Sequence, residues 1–187
     1  MDDNIETHTF LYFAYGSNLL KERLQLKNPS ATIHCVARLK DYKLVFGNYK
    51  GLASDRWHGG VATIENSPAN EVWGVVWRMN VADLASLDSQ ENVRLGAYSP
   101  VEVNVKTRGQ ELNCRTYIMN SCIYAPPSPQ YLKVAHLLLY YFPPSLSLSL
   151  SLSLSPSLSH AVSLSQSIYI SVIPNKNMDL TLNPLRR

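Results

Sequence analysis

Residues 71–79 read EVWGVVWRM, and the reading of this stretch decides the fold. In an extended chain successive side chains alternate between faces, so Trp73, Val75 and Trp77 share one side while Val72, Gly74 and Val76 share the other. Both sides are apolar, which predicts a strand covered on both faces and lying centrally in its sheet. Upstream, GGVATIEN (59–66) begins at a glycine pair, and RLKDYKLVFGN (38–48) alternates apolar and polar residues before a Gly-Asn turn. Downstream, YSPVEVNVKT (98–107) and ELNCRTYIM (111–119) flank a polar Arg-Gly-Gln turn and predict a hairpin. Near the start, LYFAY (11–15) is a further aromatic-rich strand.

Two segments have helical spacing. NLLKERLQLKNPS (18–30) carries Leu19, Leu20, Arg23 and Leu24 on one face and must stop before Pro29. NVADLASLDSQEN (80–92) offers Asn80 as a cap with Asp83 three positions on, packs Leu84 with Leu87, and ends near Glu91. Many strands with few helices predict an α+β domain, a mixed, strongly curved, barrel-like sheet with helices packed on it.

Composition excludes several function classes. The 187 residues suit one ordinary domain, and 45% hydrophobic with 17% charged residues suits a soluble one. No uninterrupted apolar run is long enough for a membrane helix, and the acidic MDDNIETH start differs from a secretory leader, so a cytoplasmic protein without membrane partners is expected. Cys35, Cys114 and Cys122 are odd in number, have no Cys-x-x-Cys spacing and read as free thiols. Residues 1–132 hold 13 basic and 13 acidic side chains, so the net charge of +3 comes from the remainder, and nucleic acid is not an expected partner. After about residue 134 the pattern changes to a strict Ser-Leu alternation from Ser145 to Ser155. Translation of a simple dinucleotide repeat gives this pattern, and without varied side chains it builds no core. The expected organisation is a tail over 1–9, a domain over 10–133 and an atypical low-complexity tail over 134–187.

The strand at 11–15 ends in Tyr15, Gly16, Ser17 and Asn18. Running into a helix, this loop either presents backbone donors to an anion or carbonyl oxygen, or is simply a helix start capped by Ser17 or Asn18. Spacing alone leaves both open. Likewise Glu91 is either a solvated residue at a helix end or a buried acid-base group. His58, before a glycine turn, reads as a structural hydrogen-bonder, and Asp88 beside Glu91 lacks the sugar-stacking groove that a glycosidase pair needs.

FAYGSN followed by LL, NPS, VARL, WHGG, EVWGVVW, a Leu-Asp-x-Gln-Glu segment and APPSPQY resembles the gamma-glutamylcyclotransferases of the animal cytosolic type, in order over about residues 10–133. Gamma-glutamylamine cyclotransferases share the Tyr-Gly loop but differ after it. The resemblance implies a compact barrel-like mixed sheet, a homodimer, no metal and no cofactor. It implies cyclisation of gamma-glutamyl amino acids or dipeptides to 5-oxoproline with Glu91 as the catalytic carboxylate. Tyr98 then belongs to the setting of Glu91, Tyr12, Phe13, Ala14, Tyr15, Gly16 and Ser17 cradle the gamma-glutamyl group, and Tyr131 is an aromatic wall. Pro126, Pro127 and Pro129 stiffen the loop presenting Tyr131. The chain leaves the family pattern after Tyr131, which raises the rival reading of a catalytically impaired variant that keeps a gamma-glutamyl-binding or dimer-partner role.

Overall fold

A computed structural model describes residues 8–131 apart from 54 and 56. Its strands are β1 (Thr9–Ala14), β2 (Thr32–Tyr49), β3 (Val61–Asn80), β4 (Tyr98–Lys106), β5 (Glu111–Met119) and β6 (Cys122–Tyr124); its α-helices are α1 (Lys21–Gln25) and α2 (Leu84–Gln90). Strand order is β3-β1-β5-β4-β2-β6, and β2 pairs again with β3, so five strands close into a barrel with β6 as an outer addition. All these pairings are antiparallel except β1 with β5, which is parallel. The expected mixed, barrel-like α+β architecture is the one observed.

The two faces of β3 explain the closure. Val72 and Val76 join Phe13, Ala37, Leu39, Ile64, Val103, Val105 and Cys114 in a cluster drawn from all five barrel strands, the barrel interior. Val75, Trp77 and Met79 face the other way and pack with Tyr12, Ala14, Leu24, Leu87 and Tyr117 beneath the helices. Alternation on β1 does the same, sending Phe13 inward and Tyr12 and Ala14 toward the helices. Gly74 is required where β3 crosses β1, because a Cβ there would lie 2.3 Å from the Ala14 carbonyl oxygen and 2.6 Å from the Phe13 ring. Such a contact cannot be relieved without moving backbone.

Several local expectations need correction. The segments 59–66 and 71–79 belong to one strand, β3, whose partner β2 also runs longer than expected. Lys40 faces Glu71 whereas Tyr42 faces Asn66, so Asp41 alone opposes the Ser67–Asn70 excursion. Asp41 takes a left-handed φ of 62° and its carboxylate accepts the Ala69 amide at 3.2 Å, holding the excursion as a bulge within continuous pairing. The first helix is also shorter. A 3-10 turn over Ser17–Leu19 precedes it, and extended Leu20 (φ −77°, ψ 118°) separates the two. Asn80 makes no side-chain cap; Asp83 instead accepts from both the amide and the hydroxyl of Ser30, tying α2 to the end of α1. The expected tail after residue 133 and most of that over 1–9 lie outside the described residues.

Candidate active site

The barrel opens at the end of β1 into a cavity of about 330 Å³, walled by Tyr15, Arg23, Trp57, Tyr98 and Tyr131 with Glu91 among the lining residues. The residues expected to act come from three of the elements around it. β1 and the turn after it bring Tyr12, Tyr15, Gly16, Ser17 and Asn18; the end of α2 brings Gln90 and Glu91; the segment after β6 brings Tyr131. Helix α2 stops at Glu91 because the next residue, Asn92, is left-handed (φ 52°), a conformation asparagine tolerates better than most residues.

Glu91 keeps part of its surface accessible to the cavity, yet its acidity is governed first by burial. Desolvation disfavours the carboxylate, while the Asn18 amide and the Arg23 charge work against that in smaller measure, and the resulting pKa is about 7. Asn18 Nδ2 donates to Glu91 Oε1 at 2.7 Å and to the Tyr12 hydroxyl at 3.1 Å. The pKa values of the Tyr12, Tyr15, Tyr98 and Tyr131 phenols are all raised, mainly by burial and further by the Glu91 charge, so these groups are less acidic than an ordinary tyrosine. They therefore stay protonated, with the Tyr15 hydroxyl donating to the Tyr117 carbonyl and the Tyr98 hydroxyl to the Ala62 carbonyl.

The loop carrying Tyr131 is docked on the Trp-His-Gly-Gly segment. Gly60 N–H donates to the Pro126 carbonyl at 2.8 Å and Ser128 N–H to the Gly60 carbonyl at 3.0 Å. A Cβ at Gly60 would meet the Ala125 carbonyl at 2.6 Å, which accounts for the glycine. Ser128 Oγ then accepts the Tyr131 amide at 2.9 Å, and the Trp57 ring packs 5.1 Å from the Tyr131 ring. The Tyr131 hydroxyl lies directly over Gly16, 2.3 Å from where a Cβ would stand.

The residues expected from the sequence divide accordingly. Tyr12, Tyr15, Gly16, Ser17, Glu91 and Tyr131 line one cavity, as does Tyr98. Phe13 and Ala14 do not: their side chains are buried in the two cores, because alternation along β1 turns them away from the opening. Neither Ser17 nor Asn18 caps a helix; Ser17 Oγ accepts from Arg23 Nε at 3.0 Å, and Asn18 is spent on Glu91 and Tyr12. His58 has a left-handed φ of 52° at the docking turn and is not in the cavity lining. Asp88 is held outside the cavity by Arg115 at 2.7 Å and the Tyr117 hydroxyl at 2.6 Å, so it forms no pair with Glu91. Sequence reasoning missed Arg23, Trp57 and Gln90. Arg23 looked like part of a helical face, although its guanidinium lies 5.0 Å over the Trp57 ring at the cavity wall.

Comparison with known proteins agrees with this architecture. The AIG2-like family model matches residues 71–136. Gamma-glutamylcyclotransferase of Mus musculus is 62% identical over 130 residues, 69% of each chain, and that of Homo sapiens 58% over the same length and shares. A solved gamma-glutamyl cyclotransferase structure superposes with a TM-score of 0.73 at 46% identity, covering 84% of this chain and 99% of that one. With such identity over two thirds of its length, on a barrel of the same kind, the chain belongs to the gamma-glutamylcyclotransferase family.

Proposed function

We propose that the chain cyclises gamma-glutamyl amino acids to 5-oxoproline and releases the free amino acid, with Glu91 as base and then acid. The observation that carries this reading is Glu91 itself: the one carboxylate among the described lining residues, buried to a pKa of about 7 and surrounded by protonated phenols. The substrate's α-amine attacks its own side-chain amide carbon. The new C–N bond closes a five-membered lactam, and the old amide C–N bond breaks.

The nucleophile is supplied by the substrate, so the protein contributes folding of the substrate chain, proton transfer and stabilisation of developing charge. An α-ammonium, pKa about 8, must lose its proton first, and a carboxylate near 7 is far better matched to that task than an ordinary glutamate near ~4.3. Glu91 takes this proton and returns it to the departing amine, and the second proton that the attacking nitrogen sheds as the lactam forms balances the departing amine's conversion to ammonium. Tyr15, Tyr98 and Tyr131 supply aromatic walls, Tyr131 supplies a hydroxyl donor while Tyr15 and Tyr98 give theirs to the Tyr117 and Ala62 carbonyls, and Arg23 supplies positive charge for a substrate carboxylate. A cytoplasmic site of action is supported by the free state of Cys35, Cys114 and Cys122. Assembly as a homodimer is supported by exposed Leu52, Ile123 and Tyr124, and light scattering of the purified chain tests it.

The deciding experiment measures 5-oxoproline released from gamma-glutamyl-alanine by the full chain, by a chain ending at Lys133 and by Glu91→Gln. Turnover in the first two and a loss of about a hundredfold or more in the third are expected. Absence of turnover from folded full-length protein, or Glu91→Gln within about threefold of the parent, overturns the reading.

A further inference from the structure

Behind Glu91 lies a chain of three amides that the proposed chemistry does not use directly. Asn28, fully buried at the end of α1, donates from Nδ2 to the Leu24 carbonyl at 3.2 Å and to Gln90 Oε1 at 3.0 Å. Gln90 Nε2 donates to Asn18 Oδ1 at 2.6 Å. Asn18, also buried, then gives its two Nδ2 hydrogens to the Tyr12 oxygen and to Glu91 Oε1.

Each amide could in principle be turned over, exchanging donor and acceptor, but the ends forbid it. The Leu24 carbonyl can only accept, which commits Asn28 Nδ2 toward it and toward Gln90. Gln90 must then point its nitrogen at Asn18, and Asn18 its nitrogen at the carboxylate. Asn28 Oδ1 is buried without a hydrogen-bond partner among the described residues, so Asn28 leaves one oxygen unsatisfied while both amide hydrogens stay engaged. An uncompensated buried acceptor costs stability, and the arrangement keeps the relay running in one direction.

We infer that Asn28, Gln90 and Asn18 form a one-directional amide relay that positions the Glu91 carboxylate, fixing Oε1 with a neutral donor and leaving Oε2 for proton exchange. The inference rests on the reading of Glu91 as the base. Asn18 touches Glu91; Gln90 and Asn28 act through Asn18 and are positioning residues. A neutral donor suits a carboxylate that must cycle between states: it anchors the geometry without locking in the charge as a salt-bridging cation does.

Other groups also face Glu91: Tyr12 and Tyr15 from β1 and its end, Arg23 from α1, Tyr98 from β4 and Tyr131 from the docked loop. The phenols stay protonated through the neutral range because burial raises them, and the guanidinium charge is constant there. A change in the acidic limb of the pH profile therefore reports on Glu91.

The test is the pH dependence of kcat/KM for 5-oxoproline release from gamma-glutamyl-alanine in the parent, Gln90→Met, Gln90→Glu and Glu91→Gln, with Tm measured for each. Activity rises with pH as Glu91 ionises. Gln90→Met keeps the bulk but frees Asn18 to turn, so the acidic limb is expected to move up by about half to one pH unit. Gln90→Glu offers Asn18 an acceptor, reverses it and adds nearby negative charge, so a larger upward move is expected. If one variant fails to fold, the other retains the test. A merely structural role lowers Tm or kcat and leaves the limb in place. A limb that stays within about 0.2 unit or moves down in a folded variant, while Glu91→Gln is inactive, overturns the relay. Retained activity in Glu91→Gln overturns the base assignment instead.

Discussion

Helix α2 and the residue that caps its end present two carboxylates three residues apart, Asp88 and Glu91, and the fold treats them oppositely. Asp88 is matched with the Arg115 guanidinium at 2.7 Å and the Tyr117 hydroxyl at 2.6 Å, at the flank of β5. Glu91 has a neutral amide as its hydrogen-bond partner and lies where burial raises its pKa to about 7. Asp88 is engaged by a cation and a hydroxyl, whereas the neutral donor and desolvated pocket of Glu91 leave both of its forms within reach at neutral pH. Two chemically similar side chains on one helix thus become a tie between elements and a proton carrier, through their neighbours alone.

The comparison breaks or sharpens under substitution. The largest contrast is in turnover: Glu91→Gln is expected to lose about a hundredfold or more, whereas Asp88→Asn keeps activity within about threefold, assayed by 5-oxoproline release. An inactive Asp88→Asn of unchanged Tm would sink the distinction.

The next effect is in stability against pH. The folded pKa of Glu91 is raised over its unfolded value, so the protonated form is favoured by the fold. Its stabilising share is therefore fully present below about pH 4.3 and lost as pH rises through about 7. Above that, Glu91 costs on the order of 3–4 kcal/mol, and Glu91→Gln should be the more stable protein at pH 8 while matching the parent near pH 4.5. Denaturant unfolding at the two pH values measures this. Asp88→Asn should instead lose about 1 kcal/mol at pH 8, since its ion pair is partly solvent-exposed.

The smallest effect concerns the wall facing Glu91. Gly16→Ala drives a methyl into the Tyr131 hydroxyl and should raise KM several-fold; adding Tyr131→Phe removes the clashing oxygen and should recover part of the loss. Recovery in the double variant marks the Tyr131 contact as the cause; its absence assigns the loss to the Ala62 side chain, 3.4 Å from the same point.

How much of this was legible in the sequence follows from the range of the forces involved. Alternation is local, so the two apolar faces of 71–79 were readable and led to a central, doubly covered strand. The Ser67–Asn70 excursion carries Pro68, an ordinary turn signal, and nothing local reveals that Asp41, 28 residues away, would hold it as a bulge in continuous pairing. The first helix was overextended because its leucine spacing persists through Leu20, whose extended backbone is set by tertiary packing. In the site, Glu91 and Tyr131 came from the family resemblance, since spacing alone left Glu91 as plausibly solvated. Asn28 and Gln90 are polar residues near helix ends, and only the packing of α1 against α2 makes them neighbours.

The placement of Tyr131 over Gly16 has a consequence for how the protein is made. The barrel itself is closed by contacts of long sequence range, with the Tyr15 hydroxyl reaching the Tyr117 carbonyl across 102 positions and Thr116 reaching the Phe13 carbonyl across 103. Such pairings form late and slowly, because the loop entropy must be overcome before the contacts reward it. As the chain emerges from the ribosome, β1 to β3 and α2 with Glu91 appear well before the segment that covers Gly16. A nascent chain therefore presents Glu91 before its aromatic wall is complete, and the wall closes when the proline loop docks on Gly60.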